Sequence, residues 1–160
     1  MSITNKTQFR QGKDVETWLD GYFTALGWRV EQTTPHEERV LCIGDRRFSR
    51  DRRVLTIEYK SGIQTGATGN IFLETVSVDT KQVPGWVYTC QADYIFYAAL
   101  LNDVILIFKP ANLRAVIDAL KAQFREVATS HQQNDGYNTH GVIVPLEYAK
   151  EHLADKVIQL

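Results

Sequence analysis

Apolar residues near the start of the chain recur with helical spacing. In the stretch DVETWLDGYFTAL, residues 14–26, apolar side chains stand three and four positions apart. This spacing places them on one face of a helix. Asp14 and Gly27 are typical of the start and the end of such a helix. The pattern therefore predicts an amphipathic helix over 14–26, and a similar stripe predicts a second helix over 112–127.

Short apolar runs between these two helices predict strands. WRVEQTT is one, and RVLCIGDRRF and RRVLTIEYK flank a polar turn at 49–51, which predicts a hairpin. NIFLETVSV follows a glycine-rich loop at 61–70, and PGW then begins a turn or a short helix. ADYIFYAALL and VILIFK flank Asn102–Asp103, which predicts a hairpin with a two-residue turn.

The end of the chain predicts a polar loop over 129–140, followed by a strand and a helix within 141–160. This order of elements predicts an α/β fold in which a mixed central sheet is flanked by helices. A length of 160 residues predicts one domain over 1–160, with its core at about 10–128.

Composition narrows the function classes. The chain is 44% hydrophobic and 23% charged with a net charge of −1, so any nucleic-acid binding depends on a local patch. We expect no membrane span, because no apolar run reaches about 18 residues. The polar N-terminal stretch is unlike a signal peptide, and Cys42 and Cys90 fit no metal or redox motif. We therefore expect a cytoplasmic protein with reduced thiols. We also expect no organic cofactor.

The stretch VLTIEYKSG, residues 54–62, places two charged residues in a strand that otherwise resembles a core strand. Side chains alternate along a strand, so Glu58 and Lys60 point to one face. The core face receives Leu55, Ile57 and Tyr59.

Asp45 on the preceding strand lies near the level of Glu58 if the hairpin turns at residues 50 and 51. Neighbouring strands are about 4.8 Å apart, and two carboxylates that close repel unless a cation lies between them. Magnesium is commonly held by one or two carboxylates. Lys60 would then orient or deprotonate the attacking water, or hold the scissile phosphate. The alternative interpretation is a cross-strand salt bridge on a solvated face.

Three further features bear on this choice. Glu16 lies at the border of the apolar face of the first helix, and Glu74 alternates with Phe72 in the strand NIFLE. Either is equally interpretable as a solvated glutamate. Five arginines crowd the predicted hairpin and indicate either a phosphate-binding edge or a charged tip that prevents edge pairing, namely Arg46, Arg47, Arg50, Arg52 and Arg53.

The ordered set resembles the PD-(D/E)XK nuclease superfamily, whose fold is restriction-endonuclease-like. Glu16 stands on the leading helix, and Asp45 precedes Glu58-Tyr59-Lys60 by thirteen residues. The stretch TGNIFLETVSVDTKQVPGWVYTCQADYIFY is similar to a phage and bacterial subgroup. The resemblance covers roughly residues 10 to 120. Gly44 occupies the place of the proline in the motif.

The resemblance implies hydrolysis of DNA phosphodiester bonds with Mg²⁺ or Mn²⁺. Asp45, Glu58 and the Tyr59 backbone carbonyl would bind the metal, with Asp51 as the less favoured alternative to Asp45. Lys60 would activate water or stabilise the phosphorane. Glu16 would act as an outer-sphere carboxylate, and Glu74 would be an additional carboxylate.

DNA contacts would come from the five arginines and from three residues of the segment after NIFLE, namely Lys81, Thr89 and Gln91. Gln91 stands where the subgroup suggests a lysine. Because no separate recognition domain is evident, we expect structure-selective or weakly sequence-selective endonuclease action by a homodimer, Holliday-junction resolution being one such activity. The alternatives are a non-catalytic DNA-binding protein that keeps the nuclease fold, and an interaction module with a salt-bridge network.

Overall fold

The first helix organises one side of the molecule. The computed structural model describes residues 8–129 and 136–160. Helix α1 (Gly12–Ala25) confirms the predicted helix and buries Val15, Leu19 and Phe23. Asp14 lies inside the first turn, where its carboxylate accepts the Gln11 N–H at 2.8 Å. The helix gives way to β1 at Gly27, whose φ of +89° is easily adopted only by glycine.

The other elements alternate between short helices and strands. The helices are α2 (Pro35–Arg39), α3 (Thr65–Thr68), α4 (Trp86–Thr89), α5 (Pro110–Gln123) and α6 (Leu146–Tyr148), which continues as a π-helical turn at Ala149–Leu153. The strands are β1 (Arg29–Gln32), β2 (Arg46–Arg50), β3 (Arg53–Ser61), β4 (Asn70–Val78), β5 (Val83–Pro84), β6 (Tyr94–Ala99), β7 (Val104–Phe108), β8 (Glu126–Thr129), β9 (Thr139–Pro145) and β10 (Lys156–Gln159).

The strands form two sheets. The six-stranded sheet has the order β1-β2-β3-β6-β7-β10, in which β3 and β6 are parallel and the other neighbours are antiparallel. The four-stranded sheet, β5-β4-β9-β8, is antiparallel throughout. The prediction of an α/β fold with a mixed sheet flanked by helices is therefore confirmed.

Two apolar clusters cover opposite faces of the six-stranded sheet, because alternate residues of each strand point to opposite sides. One cluster packs against α1 and includes Leu19, Phe23, Ile57, Phe96 and Ile105. The other packs against α4, α5 and the four-stranded sheet and includes Ile71, Trp86, Ile95, Leu106 and Leu113. Strand β3 lies in the middle of this arrangement, so its side chains reach both sides.

The strand predicted over 39–48 starts only at Arg46. Arg39 ends α2, and the chain then passes through left-handed backbone at Cys42, with φ +53°, and Gly44, with φ +96°. A regular strand cannot include these conformations. The prediction was wrong here because local apolar content does not reveal a left-handed residue.

Three other predicted elements differ from the structure. The β6–β7 hairpin is joined by four residues, three of which form a 3₁₀ turn at Leu100–Asn102. The second helix ends at Gln123, and Val127 belongs to β8. The last helix is short, and β10 follows it. Strand β10 pairs with the distant β7, and β8 pairs with β9, the next strand along the chain; local periodicity shows neither pairing.

Two remaining expectations concern the loop at 129–140 and the membrane. Residues 130–135, most of that loop, lie outside the described residues. Across residues 8–129 and 136–160, no helix is long and apolar enough to cross a membrane.

Candidate active site

The backbone of Asp45 is held on three sides at the start of β2. Its N–H donates to Ile57 O at 3.0 Å, and its carbonyl accepts the Thr33 N–H at 3.1 Å. The Arg46 guanidinium donates to the same carbonyl, also at 3.1 Å. These bonds fix the residue between β1 and β3 before its side chain makes any contact.

Gly44 makes this close approach to β3 feasible. A Cβ atom on Gly44 would lie 2.4 Å from Ile57 O, and its φ of +96° disfavours any other residue. The Gly44 carbonyl accepts a 2.7 Å hydrogen bond from the buried Thr33 hydroxyl. A proline, which has φ near −65°, could not adopt this conformation. Glycine rather than proline at this position therefore has a backbone reason.

The Asp45 carboxylate lies beside β3 at the level of Tyr59. Its Oδ1 accepts the Tyr59 N–H at 3.1 Å. In an extended strand the N–H and C=O of one residue project to the same edge. The Tyr59 carbonyl therefore points to the edge of β3 that also receives the Asp45 carboxylate.

Burial and a neighbouring negative charge act together on Asp45. Burial and the Glu58 carboxylate raise the pKa of Asp45 to about 7, although the hydrogen bond from Tyr59 opposes them. An isolated aspartate has a pKa near 3.9. The pair therefore holds two negative charges together only at an energetic cost, which a bound cation would remove.

Glu58 and Lys60 project from the opposite face of β3 to Ile57 and Tyr59, as their alternation predicted. Lys60 Nζ lies 2.6 Å from Glu58 Oε1. The ammonium also lies 5.7 Å from the centre of the Trp86 ring, within cation–π range. The Glu58 side chain is 18% exposed and the Lys60 side chain is 27% exposed, so both are largely shielded from solvent.

These two side chains line a cavity of about 310 Å³ that Glu74 also enters. Glu74 Oε1 accepts the Trp86 N–H at 3.3 Å. Burial raises the pKa of Glu74, while Lys60 counteracts this effect. For Lys60, burial is the largest effect and would lower the ammonium pKa, but the carboxylates of Glu58, Glu74 and Asp45 together outweigh it and the pKa is raised. Lys60 is therefore a cation at neutral pH.

Sequence reasoning did not place three further residues of this cavity in the site. Glu38 at the end of α2 lines it together with Cys42 and Cys90. Both thiols are free, and burial raises the pKa of Cys90 to about 11. None of the three carries a motif, and they reach the cavity through the left-handed turn at Cys42 and the short helix α4.

Glu16 is held near Asp45 by an ion pair with Arg46. The Arg46 guanidinium lies 3.1 Å from Glu16 Oε2 and 2.9 Å from Asp20 Oδ1, and its carbon lies 5.1 Å from the centre of the Tyr59 ring. Arg46 is 4% exposed. The negative charge of Glu16 also contributes to the raised pKa of Asp45. Arg46 thus holds Glu16 near Asp45, as an internal link rather than a surface cation.

The structure does not bring the five arginines together beside Asp45. Arg46 is buried, and Arg47 is paired with Glu37 at 2.5 Å. Arg50 and Arg53 are partners at the far end of the hairpin. Glu58 follows Arg53 by five positions, which at about 3.3 Å per residue places them roughly 17 Å apart along the strand. The tip arginines, Arg50, Arg52 and Arg53, therefore do not lie beside Asp45, and their contact with DNA stays a prediction.

The three other expected DNA contacts lie in different places. Thr89 lines the cavity of Glu58 and Lys60, and its hydroxyl donates to Gly85 O at 3.3 Å. Lys81 is exposed in the 3₁₀ turn at Asp79–Lys81. Gln91 is exposed and lines a separate cavity beside Lys109 and Arg114. Thr89 alone joins the candidate site.

The donor set fits a metal held by few protein ligands. Within residues 8–129 and 136–160, no three His, Cys, Asp or Glu side chains form a ready metal cluster. The charge of Glu58 acts on Asp45, and the Tyr59 carbonyl points to the edge of β3 that receives the Asp45 carboxylate. Magnesium typically takes one or two carboxylates and keeps several waters. These residues suit Mg²⁺ or Mn²⁺ with a protein shell that water completes.

Comparison of the chain with protein-family models, with curated proteins and with solved structures finds no match.

Proposed function

We propose that this chain is a divalent-metal-dependent deoxyribonuclease that hydrolyses phosphodiester bonds within DNA. The observation that carries the proposal is the meeting of Asp45 and Glu58 beside the Lys60 ammonium. The resemblance to PD-(D/E)XK nucleases and the mixed sheet agree with it. A role in stability alone gives no reason to place two repelling carboxylates together.

Asp45, Glu58 and the Tyr59 carbonyl would hold the metal. Mg²⁺ or Mn²⁺ would supply an acidified water and charge neutralisation at the phosphate. The chain's own part is to orient these ligands. The Tyr59 N–H holds the Asp45 carboxylate, and the backbone bonds from Thr33 and Ile57 hold the residue itself.

Lys60 acts as a positive charge toward the phosphate. Its raised pKa keeps the ammonium protonated at neutral pH, which disfavours the role of a general base. A cation in a shielded cavity instead stabilises the extra negative charge that the phosphate gains when water attacks it. The ion pair with Glu58 and the Trp86 ring hold the ammonium in this cavity.

Two further carboxylates adjust the site without occupying its centre. Glu16 is held by Arg46 and would orient water at the outer edge of the metal shell. Glu74 faces Lys60 across the cavity and favours its charged form.

We place the protein in the cytosol of a bacterial or phage-infected cell. We also propose that it works as a homodimer, so that two sites act on two strands.

The second candidate is a DNA-binding protein that does not cut. The observation in its favour is that Lys60 forms an ion pair with Glu58 and Glu16 with Arg46, as in a salt-bridge network. This reading requires DNA binding that persists in EDTA and cleavage in neither Mg²⁺ nor Mn²⁺.

A labelled substrate panel tests the proposal. Single-stranded DNA, duplex, flap and four-way junction are each incubated with the wild-type protein in Mg²⁺, Mn²⁺ or EDTA. The proposal requires internal cleavage of at least one substrate in a metal and none in EDTA. The preferred substrate would define the subclass. Cleavage that continues in EDTA, or binding without cleavage in both metals, would reject the proposal.

A further inference from the structure

A second concave surface lies at the opposite end of β3 from Asp45 and Glu58. This surface, which we call the basal groove, has a volume of about 490 Å³. It lies where the hairpin tip meets the start of β6 and β10 and the end of α1. Its apolar lining includes the partly exposed residues Leu26, Trp28, Leu55, Tyr94 and Ile158.

Four cations surround this apolar lining. Arg50, Arg53, Lys109 and Lys156 all line the groove, and all are exposed. Asp155 is the one carboxylate among the lining residues. It is already engaged, since its two oxygens accept the Lys109 N–H at 2.6 Å and the Asn112 side-chain amide at 2.5 Å. The groove therefore carries an excess of positive charge in a protein whose net charge is −1.

We propose that the basal groove binds an acidic peptide segment of a partner protein, with an apolar side chain inserted between the cations. The apolar lining would contact the inserted side chain of the peptide. The surrounding ammonium and guanidinium groups would donate hydrogen bonds to the peptide carboxylates on either side of it. This site is distinct from the candidate active site and does not rest on the proposed nuclease activity.

The aromatic rings of the groove favour a peptide over single-stranded DNA. Binding of single strands depends on open aromatic faces on which bases stack. The Trp28 ring carries the Arg50 guanidinium at 4.2 Å and packs against Phe48 at 5.8 Å. Phe23 and Phe96 are 4% and 6% exposed. The faces of these rings are therefore covered, and Tyr94 is left as the one other partly exposed ring of the groove, which is too few for a stacking platform.

The charges also disfavour a second copy of the chain in the groove. A two-fold interface places the same surface on both subunits. It would bring Arg53 and Lys156 of one copy toward the same cations of the other. A partner with clustered carboxylates is complementary to this surface, and a second copy is not.

Fluorescence anisotropy tests the proposal with a labelled aspartate-rich peptide that carries a single central leucine. A peptide with serine at that position and a labelled single-stranded oligonucleotide serve as competing probes. We expect saturable binding of the leucine peptide and clearly weaker binding of the serine peptide. The double variant Arg53→Glu/Lys156→Glu should weaken the binding at least about tenfold.

Arg52→Glu is the matched control, because Arg52 is exposed at the same hairpin tip but does not line the groove. It should bind the leucine peptide within about twofold of the wild type. Circular dichroism establishes that each variant is folded. Either of two results would overturn the proposal directly: no peptide binding, or equal binding of the two peptides. A third would also do so, namely that the wild type prefers the oligonucleotide to the peptide and the double variant no longer binds the oligonucleotide. None of these results depends on whether the protein cleaves DNA.

Discussion

The backbone N–H of Tyr59 donates a 3.1 Å hydrogen bond to the carboxylate of Asp45, fourteen residues earlier in the chain. This bond holds the Asp45 side chain against β3, where the Glu58 charge acts on it. The hydrogen bond and the charge have opposite effects on the pKa of Asp45. The position is therefore fixed by the backbone, while its ionisation is left sensitive to pH and to cations.

Asp45→Asn should stabilise the metal-free protein at pH 8, and at pH 5 it should do so by only about a third as much. The folded-state pKa is about 7, against an ordinary value of 3.8. Between these values the folded protein keeps a proton that the unfolded chain releases, so the wild type loses stability as the pH rises from about 4 to about 7. Asparagine removes this cost, about 2 kcal/mol after allowing for partial exposure. Thermal unfolding in EDTA at both pH values measures the difference.

The same experiment identifies the metal ligand. Mg²⁺ should raise the melting temperature of the wild type at pH 8 but not that of Asp45→Asn. Asp51→Asn is the control, because Asp51 lies at the hairpin tip, where asparagine accepts its φ of +54°. It should respond to Mg²⁺ like the wild type. A lost response in Asp51→Asn with a retained response in Asp45→Asn would reverse the assignment.

Gly44→Ala should cost at least about 2 kcal/mol of unfolding free energy and abolish the response to Mg²⁺. The new Cβ would lie 2.4 Å from Ile57 O, and β2 would have to move away from β3. Gly69→Ala is the control, since its φ of +70° is also left-handed but its Cβ meets no atom within 4 Å. It should cost about 1 kcal/mol. Equal losses in urea denaturation would show that the contact with β3 is unimportant.

Arg46→Met should destabilise the protein by about 3 kcal/mol, because it leaves Asp20 and Glu16 facing each other without their shared cation. Arg52→Met, on the exposed tip of the same hairpin, should change the unfolding free energy by less than about 0.5 kcal/mol. Guanidinium denaturation compares the two. If the variants were equally stable, Arg46 would be a surface cation, as the sequence alone suggested.

The alternation of Glu58 and Lys60 against Ile57 and Tyr59 could be predicted, because side-chain direction in a strand follows from sequence position. Strand β4 was also predicted with its observed bounds, because its apolar run follows a glycine-rich loop. The expectation that Glu74 would join Glu58 and Lys60 also agrees with their shared cavity. These inferences needed no knowledge of distant contacts.

The position of the arginines could not be predicted from their crowding in the sequence. Arg46 is buried because Asp20, twenty-six residues earlier, supplies its counter-charge. Arg50 and Arg53 are far from Asp45 because the hairpin is extended over its whole length. The left-handed backbone at Cys42, which brings this thiol to the cavity, likewise has no local signal because Cys42 is not a glycine.

The most direct test of the central claim is the rate at which Lys60→Ala cleaves DNA. The variant is compared with the wild type and with Lys13→Ala, which removes an exposed lysine of α1. Initial rates are measured on labelled duplex and four-way junction in Mn²⁺, with binding measured in parallel. We predict that Lys60→Ala binds DNA and cleaves it at least about a hundredfold more slowly, while Lys13→Ala retains the wild-type rate. Equal rates in all three proteins, or no cleavage by the wild type on DNA that it binds, would contradict the account.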